Sequence, residues 1–128
     1  MSELAVSNQA VGDAPPDFEL VVTHRAGGTT VLELAGELDL YHAPDIEGAL
    51  AEAAASEARS RRVVIDLRAV TFLDSGTLGL LLAANGRQQA RGGELLILVG
   101  PHTPRRPFEV TGFDRLLTIK HVRPRRAA

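Results

Sequence analysis

Arg62-Val-Val-Ile-Asp-Leu-Arg68, then Leu73-Asp-Ser-Gly-Thr77, then Leu78-Gly-Leu-Leu-Leu-Ala-Ala-Asn85: the reading of this stretch decides how the 128-residue chain folds. The first piece is a short apolar run of strand length, and the third carries a helical pattern. Between them lies a strand-to-helix turn with a carboxylate, two hydroxyls and a glycine. Asp74 or Ser75 can cap the helix, because a side-chain oxygen there accepts from the unpaired N–H groups of the first turn. The same place tolerates an anion well, since those N–H groups and the helix dipole point at it. Ser75 is therefore a cap, a nucleophile or a phosphate acceptor.

Working outward, Phe18–His24 and Thr29–Ala35 are β-rich runs joined by Gly27-Gly28, which predicts a hairpin, with Gly36 breaking its second strand. Pro44, Asp45 and Glu47 suit the start of a helix. Ile46, Ala49, Leu50 and Ala53 then mark one narrow buried face, and the helix ends before Arg59. Arg68–Phe72 reads as a short connection out of the central strand. The helix after Asp74 ends at Gly92-Gly93, where a left-handed residue is available. Glu94–Val99 is continuously apolar, as in a strand covered on both faces. Thr103-Pro104 opens a short third helix whose apolar contacts are Phe108, Val110 and Phe113, with Gly112 ending it. Leu116–Val122 is the last strand. The expected order is β-β-α-β-α-β-α-β, an α/β or α+β layered fold with a mixed sheet of about five strands covered by three to four helices. Residues 1–16, ending in Pro15-Pro16, read as a flexible arm, 17–122 as the domain and 123–128 as a basic tail.

Composition narrows the chemistry. Apolar residues at 45% and charged residues at 23% describe a globular protein. The absence of Trp leaves a core of Leu, Val, Ile and Ala, and the absence of Cys excludes disulfides and thiolate chemistry. Net charge is −2, but residues 1–64 hold four Arg against eleven acids (−7) and residues 65–128 ten Lys or Arg against five acids (+5). The basic excess gathers at Arg105-Arg106 and Arg123–Arg126 without the continuous basic face that nucleic-acid binding requires, so no direct nucleic acid contact is expected. No signal peptide is visible, and the longest apolar run, Leu78–Ala84, falls far short of the roughly 20 residues of a membrane span. A soluble, cytoplasmic protein is expected, without cofactor or metal.

The enzyme readings of the turn fail on pattern. A hydrolase elbow needs G-x-S-x-G, whereas Leu73 and Thr77 stand at the glycine positions, and no motif brings His24, His42, His102 or His121 to Ser75. Phe72-Leu-Asp-Ser-Gly-Thr77 has the form of an aspartic protease loop, but that chemistry needs a second carboxylate and an all-β barrel, not a following helix. No phosphate-loop glycine pattern occurs. Asp66 is read as an exposed strand-end acid.

Gly36-Glu-Leu-Asp39, Val64-Ile-Asp-Leu67, Phe72-Leu-Asp-Ser75 with Leu78-Gly79, Gly92-Gly-Glu94, and Phe108-x-x-Thr-Gly-Phe113 occur here in one order. Together they resemble the STAS domain of bacterial anti-sigma factor antagonists over about residues 18–122. The resemblance implies a binding switch in transcription regulation and not an enzyme. By it, Ser75 is phosphorylated by a partner anti-sigma factor with serine kinase activity. The unphosphorylated form binds that partner and releases a sigma factor, and a PP2C-type phosphatase restores it. Asp39, Tyr41, His42, Asp74, Gly76, Thr77 and Leu78 are then expected at the partner surface. The family pattern Asp-Ser-Ser/Thr-Gly-Leu-Gly differs here, because Gly76 and Thr77 exchange the hydroxyl and the small residue. The exchange is expected to loosen the first helical turn and to make Thr77 a minor alternative acceptor. The bland alternative is a STAS module whose Asp74 and Ser75 only cap the helix. With no further sensor or transporter segment in the chain, a stand-alone antagonist is expected.

Overall fold

Alternation of period two decides which side of the sheet is dry. Phe18, Leu20 and Val22, Leu32 and Leu34, Val63, Ile65 and Leu67, and Leu95, Ile97 and Val99 fall on one face, and all are buried. The computed structural model of the protein describes residues 3–4, 17–55 and 61–123. In chain order the strands are β1 (Glu3–Leu4), β2 (Phe18–Arg25), β3 (Thr29–Leu38), β4 (Arg62–Leu73), β5 (Glu94–Val99) and β6 (Thr118–His121). The helices are α1 (Ala43–Ala55), α2 (Ser75–Ala90) and α3 (Arg106–Thr111), followed by a 3-10 turn at Phe113–Arg115.

The sheet runs β1-β2-β3-β4-β5-β6, antiparallel up to β3 and parallel from β3 to β6. Parallel neighbours taken in sequence order, each joined by a right-handed crossover, put every crossover helix on the same side. The core agrees: Ile46, Leu50 and Ala53 of α1, Leu78 and Leu81 of α2, and Phe108 of α3 share one cluster with the dry face of the sheet. The mixed sheet and the order β-β-α-β-α-β-α-β are as expected from the sequence. Glu3–Leu4, inside the segment expected as an arm, pairs with Val22 and Thr23 as a two-residue edge strand. The rest of that segment, and residues 124–128 of the expected tail, lie outside the described residues.

Five local expectations are corrected. Gly36 does not end β3; it sits at φ +91 beside a register shift, and β3 continues to Leu38. Arg68–Phe72 is not a connection but the second half of β4, paired with the extension of β3 through Ala35↔Ala69, Gly36↔Val70 and Glu37↔Phe72. Each extension supplies the partner that the other needs, which no local propensity announces. β5 is dry on one face only, and Leu96 and Leu98 are partly exposed on the helix-free side. Thr103 does not open α3; its buried hydroxyl donates to the Leu67 carbonyl (2.7 Å) and accepts from the Gly100 N–H (2.9 Å), while Val110 faces solvent.

Asp66 is also not an exposed strand end. Because β4 is long, Asp66 falls mid-strand, is buried, and is held by Arg68 through Nε (2.9 and 3.1 Å), an Nη nitrogen (2.7 Å) and the backbone N–H (3.0 Å). Burial by itself raises a carboxyl pKa. Here the hydrogen bonds from the Arg68 side chain and backbone, with the guanidinium charge, outweigh it and hold Asp66 below its ordinary value.

Two outcomes follow for stability. A Cβ at Gly36 would overlap the carbonyl of Asp17, whose oxygen accepts the Glu37 N–H at 2.8 Å. Gly36→Ala is expected to lower unfolding free energy by about 1–3 kcal/mol or more, read by denaturant titration. The Asp66 contribution is fully present above its unfolded pKa of about 3.9 and is lost as pH falls through the lower folded value. Asp66→Asn should therefore flatten the acid limb of the stability–pH curve below about pH 4. An unchanged limb would assign acid sensitivity to other carboxyls.

Candidate functional site

The site grows from the start of α2. Asp74 takes an extended conformation (φ −94, ψ 169) and caps the helix. Its Oδ1 accepts both the Thr77 N–H and the Thr77 hydroxyl, each at 2.8 Å. The Leu38 carbonyl, at the end of β3, lies 3.3 Å from the Thr77 hydroxyl as a second, longer acceptor and accepts the Asp74 N–H at 3.3 Å. The end of β3, the end of β4 and the first turn of α2 are thus tied at one carbonyl. Ser75, the first residue of α2, is exposed beside this junction. At that position the helix dipole favours an anion, while the neighbouring Asp74 carboxylate opposes one.

The β3–α1 loop forms the other half. Asp39 Oδ1 accepts the Tyr41 N–H at 3.0 Å, and the Asp39 carbonyl accepts the His42 N–H at 3.0 Å, which closes a tight turn. The His42 ring stacks on Phe18 (centroids 4.2 Å apart, 15° between planes), with Nε2 3.5 Å from Asp17 Oδ1 and 3.9 Å from Asp39 Oδ1. His42 therefore braces the loop against β2. The turn throws Leu40 and Tyr41 outward, 72% and 89% exposed. Leu40 lies over the helix start, for a Cβ on Gly76 would meet Leu40 Cδ2 at 3.2 Å.

Of the residues singled out in the sequence, Asp39, Tyr41, Asp74, Ser75 and Gly76 come to one end of the molecule. Thr77 and Leu78 do not reach the surface: they are 1% and 0% exposed. Thr77 is turned inward by its bond to Asp74, so its hydroxyl is taken up by the cap and does not face solvent, and Leu78 belongs to the core. Thr77, one member of the exchanged pair, is tied into the first turn by its N–H and hydroxyl bonds to Asp74. Sequence reasoning missed Leu40 and Phe72, the latter 47% exposed. Their one signal was a large apolar residue set beside a chain reversal, where burial has no partner to offer.

No group of three or more His, Asp or Glu able to hold a metal ion occurs among the described residues. His24 bonds the Thr30 hydroxyl at 3.0 Å and His42 is committed to Phe18 and Asp17. A cleft of about 550 Å³ lined by Glu19, Glu33, Asp66, Arg68 and His102 lies on the helix-free face and includes none of the residues around Ser75. No described helix is long and apolar enough to cross a membrane.

Comparison with known proteins converges on one family. The family model described as "Mlab, STAS domain" matches residues 21–118. The anti-sigma-F factor antagonist RsfB of Mycobacterium tuberculosis is 34% identical over 105 residues, covering 81% of this chain and 83% of that protein. The anti-sigma-B factor antagonist of Listeria monocytogenes is 35% identical over 89 residues, covering 70% of this chain and 76% of its own length. Among solved structures, an anti-sigma factor antagonist from Mycobacterium paratuberculosis superimposes with a TM-score of 0.71 at 29% identity, covering 83% of this chain and 87% of that one.

The junction itself can be tested. Thr77→Val keeps the shape but leaves the partly buried Asp74 carboxylate with one donor fewer, and should cost about 1–3 kcal/mol of stability by thermal or denaturant unfolding. A neutral result would show that the hydroxyl does not hold the cap.

Proposed function

The chain belongs to the STAS-domain family of anti-sigma factor antagonists, and on that premise we propose that it is a partner-binding switch controlled at Ser75. Unphosphorylated, it binds an anti-sigma factor that is also a serine kinase, and a sigma factor is released. Phosphorylation of Ser75 ends the complex, and a PP2C-type phosphatase resets it. The protein acts in the cytoplasm, by binding and not by catalysis.

The observation that carries this reading is the exposure of Ser75 at the first residue of α2, next to a cap that has already taken Thr77 out of reach. A phosphoryl group adds about −1.5 to −2 charges at neutral pH. The helix N-terminus tolerates that charge, so the fold should persist. At a contact surface the same group adds repulsion from Asp74 and a desolvation cost. A tenfold change in affinity needs only about 1.4 kcal/mol, which one local charge supplies without any conformational change. Asp39 and Tyr41 lie on the same surface and contribute to the contact, and His42 holds their loop in place.

Incubation with the cognate anti-sigma kinase and ATP should add one phosphate, located at Ser75 by peptide mass spectrometry and absent from Ser75→Ala. Labelling that survives the substitution would overturn the assignment. Ser75→Glu should weaken anti-sigma binding about tenfold or more while stability stays within about 0.5 kcal/mol. A large loss of stability would make Ser75 a structural cap instead.

A further inference from the structure

We infer that Leu40 and Tyr41 form a preorganised apolar knob that enters an apolar socket on the partner, and that the rim of this socket is cationic. The inference rests on the reading above, that this end of the molecule meets an anti-sigma factor, and it specifies the chemistry of that surface.

Three observations carry it. The first is the cost accepted in water: Tyr41 is 89% and Leu40 72% exposed, side by side at a loop tip. Contiguous apolar exposure of this kind marks a contact surface, and Tyr is among the residues that anchor interfaces. The second is rigidity. The Tyr41 N–H is fixed to Asp39 Oδ1, the loop is pinned by the His42–Phe18 stack, and Leu40 rests on Gly76. The loop backbone therefore needs little ordering on binding, which lowers the cost of docking the two side chains. Gly76 has a role in this, since a Cβ there would lie 3.2 Å from Leu40 Cδ2 and the leucine would have to give way by a few tenths of an ångström.

The third observation is charge. The segments that carry the knob and the helix start under it, residues 36–55 and 69–86, contain no Lys or Arg. Asp17 and Asp39 flank the His42 ring of the same loop, Asp74 caps the helix start on which Leu40 rests, and Glu37 and Asp45 lie within four residues of the knob along the chain. An interface of this sign selects a basic partner rim, which acts on encounter rate, whereas the buried anchor acts on dissociation. The two effects separate the consequences of phosphorylation. A phosphoryl group on Ser75 is attracted by a basic rim at long range, but as a hydrated dianion beside an apolar socket it must lose water to stay. Release is therefore faster dissociation, with encounter preserved.

The test uses the full chain and the anti-sigma kinase that phosphorylates it, by surface plasmon resonance at about 50 and about 500 mM salt. Leu40→Ala and Tyr41→Ala should each weaken binding about tenfold or more through dissociation, with unchanged melting temperature. Gly76→Ala should weaken binding without lowering the melting temperature, because alanine is the better helix former. The association rate should fall severalfold with salt, and Ser75→Glu should keep that salt dependence while dissociating faster. If wild type binds and Ser75→Glu does not, yet Leu40→Ala and Tyr41→Ala bind like wild type, the knob is wrong and the functional reading stands. An association rate that is flat or rises with salt overturns the cationic rim. Failure of wild type to bind any anti-sigma kinase removes the functional reading and this inference with it.

Discussion

The carbonyl of Leu38 is the point on which the working end of the molecule depends. It accepts the Asp74 N–H and lies within reach of the Thr77 hydroxyl, and Asp74 in turn caps the helix through two bonds from Thr77. A helix start leaves four N–H groups without intrahelical partners. Here the cap that answers this need also locks two parallel strands to the helix. Ser75 therefore stands on a base that hydrogen bonds tie to both strands, and the phosphoryl group proposed for it would be read there as a change of surface charge. That is the physical condition for a switch acting by contact chemistry and not by refolding.

The sheet divides the labour. Helices α1, α2 and α3 cover one face, where nearly all the large side chains are buried. The opposite face carries the Asp66–Arg68 pair and a cleft. The C-terminal ends of β3 and β4 project beyond the other strands: β3 pairs with β2 as far as Gly36 and β4 with β5 as far as Asp66, and beyond those points the ladder is between β3 and β4 alone. This projection brings the β3–α1 loop and the start of α2 to one end. Gly36, at positive φ and against the backbone of Asp17, is what lets β3 bend and continue to that point.

Much of the fold was legible in the residues because the signals were local. The helical spacing of Ile46, Ala49, Leu50 and Ala53 names the face of α1 that is buried, and Gly92 closes α2 in the left-handed conformation. Residue type offers Asp74 and Ser75 as caps, and the structure assigns the cap to Asp74. The misreadings share one cause. Gly36, Arg68–Phe72, Asp66 and Thr103 each take their state from a partner far along the chain: Asp17 and β4 for Gly36, β3 for the second half of β4, the length of β4 for Asp66, and Leu67 for Thr103.

For the site, the sequence by itself determined the chemistry on offer: a carboxylate cap, a serine following it, a second hydroxyl, and a long run without a cation. It also determined the family resemblance, which depends on order and spacing and not on contacts. Only the tertiary structure decided which hydroxyl is free. Thr77 and Ser75 are equivalent in composition, but the helix turns them by about 100° per residue, so one meets Leu38 and Asp74 and the other meets water. The same holds for Leu78 and Leu40, two leucines that the sequence does not distinguish. Packing buries the first completely, while the turn fixed by Asp39 and the gap left at Gly76 hold the second at the surface.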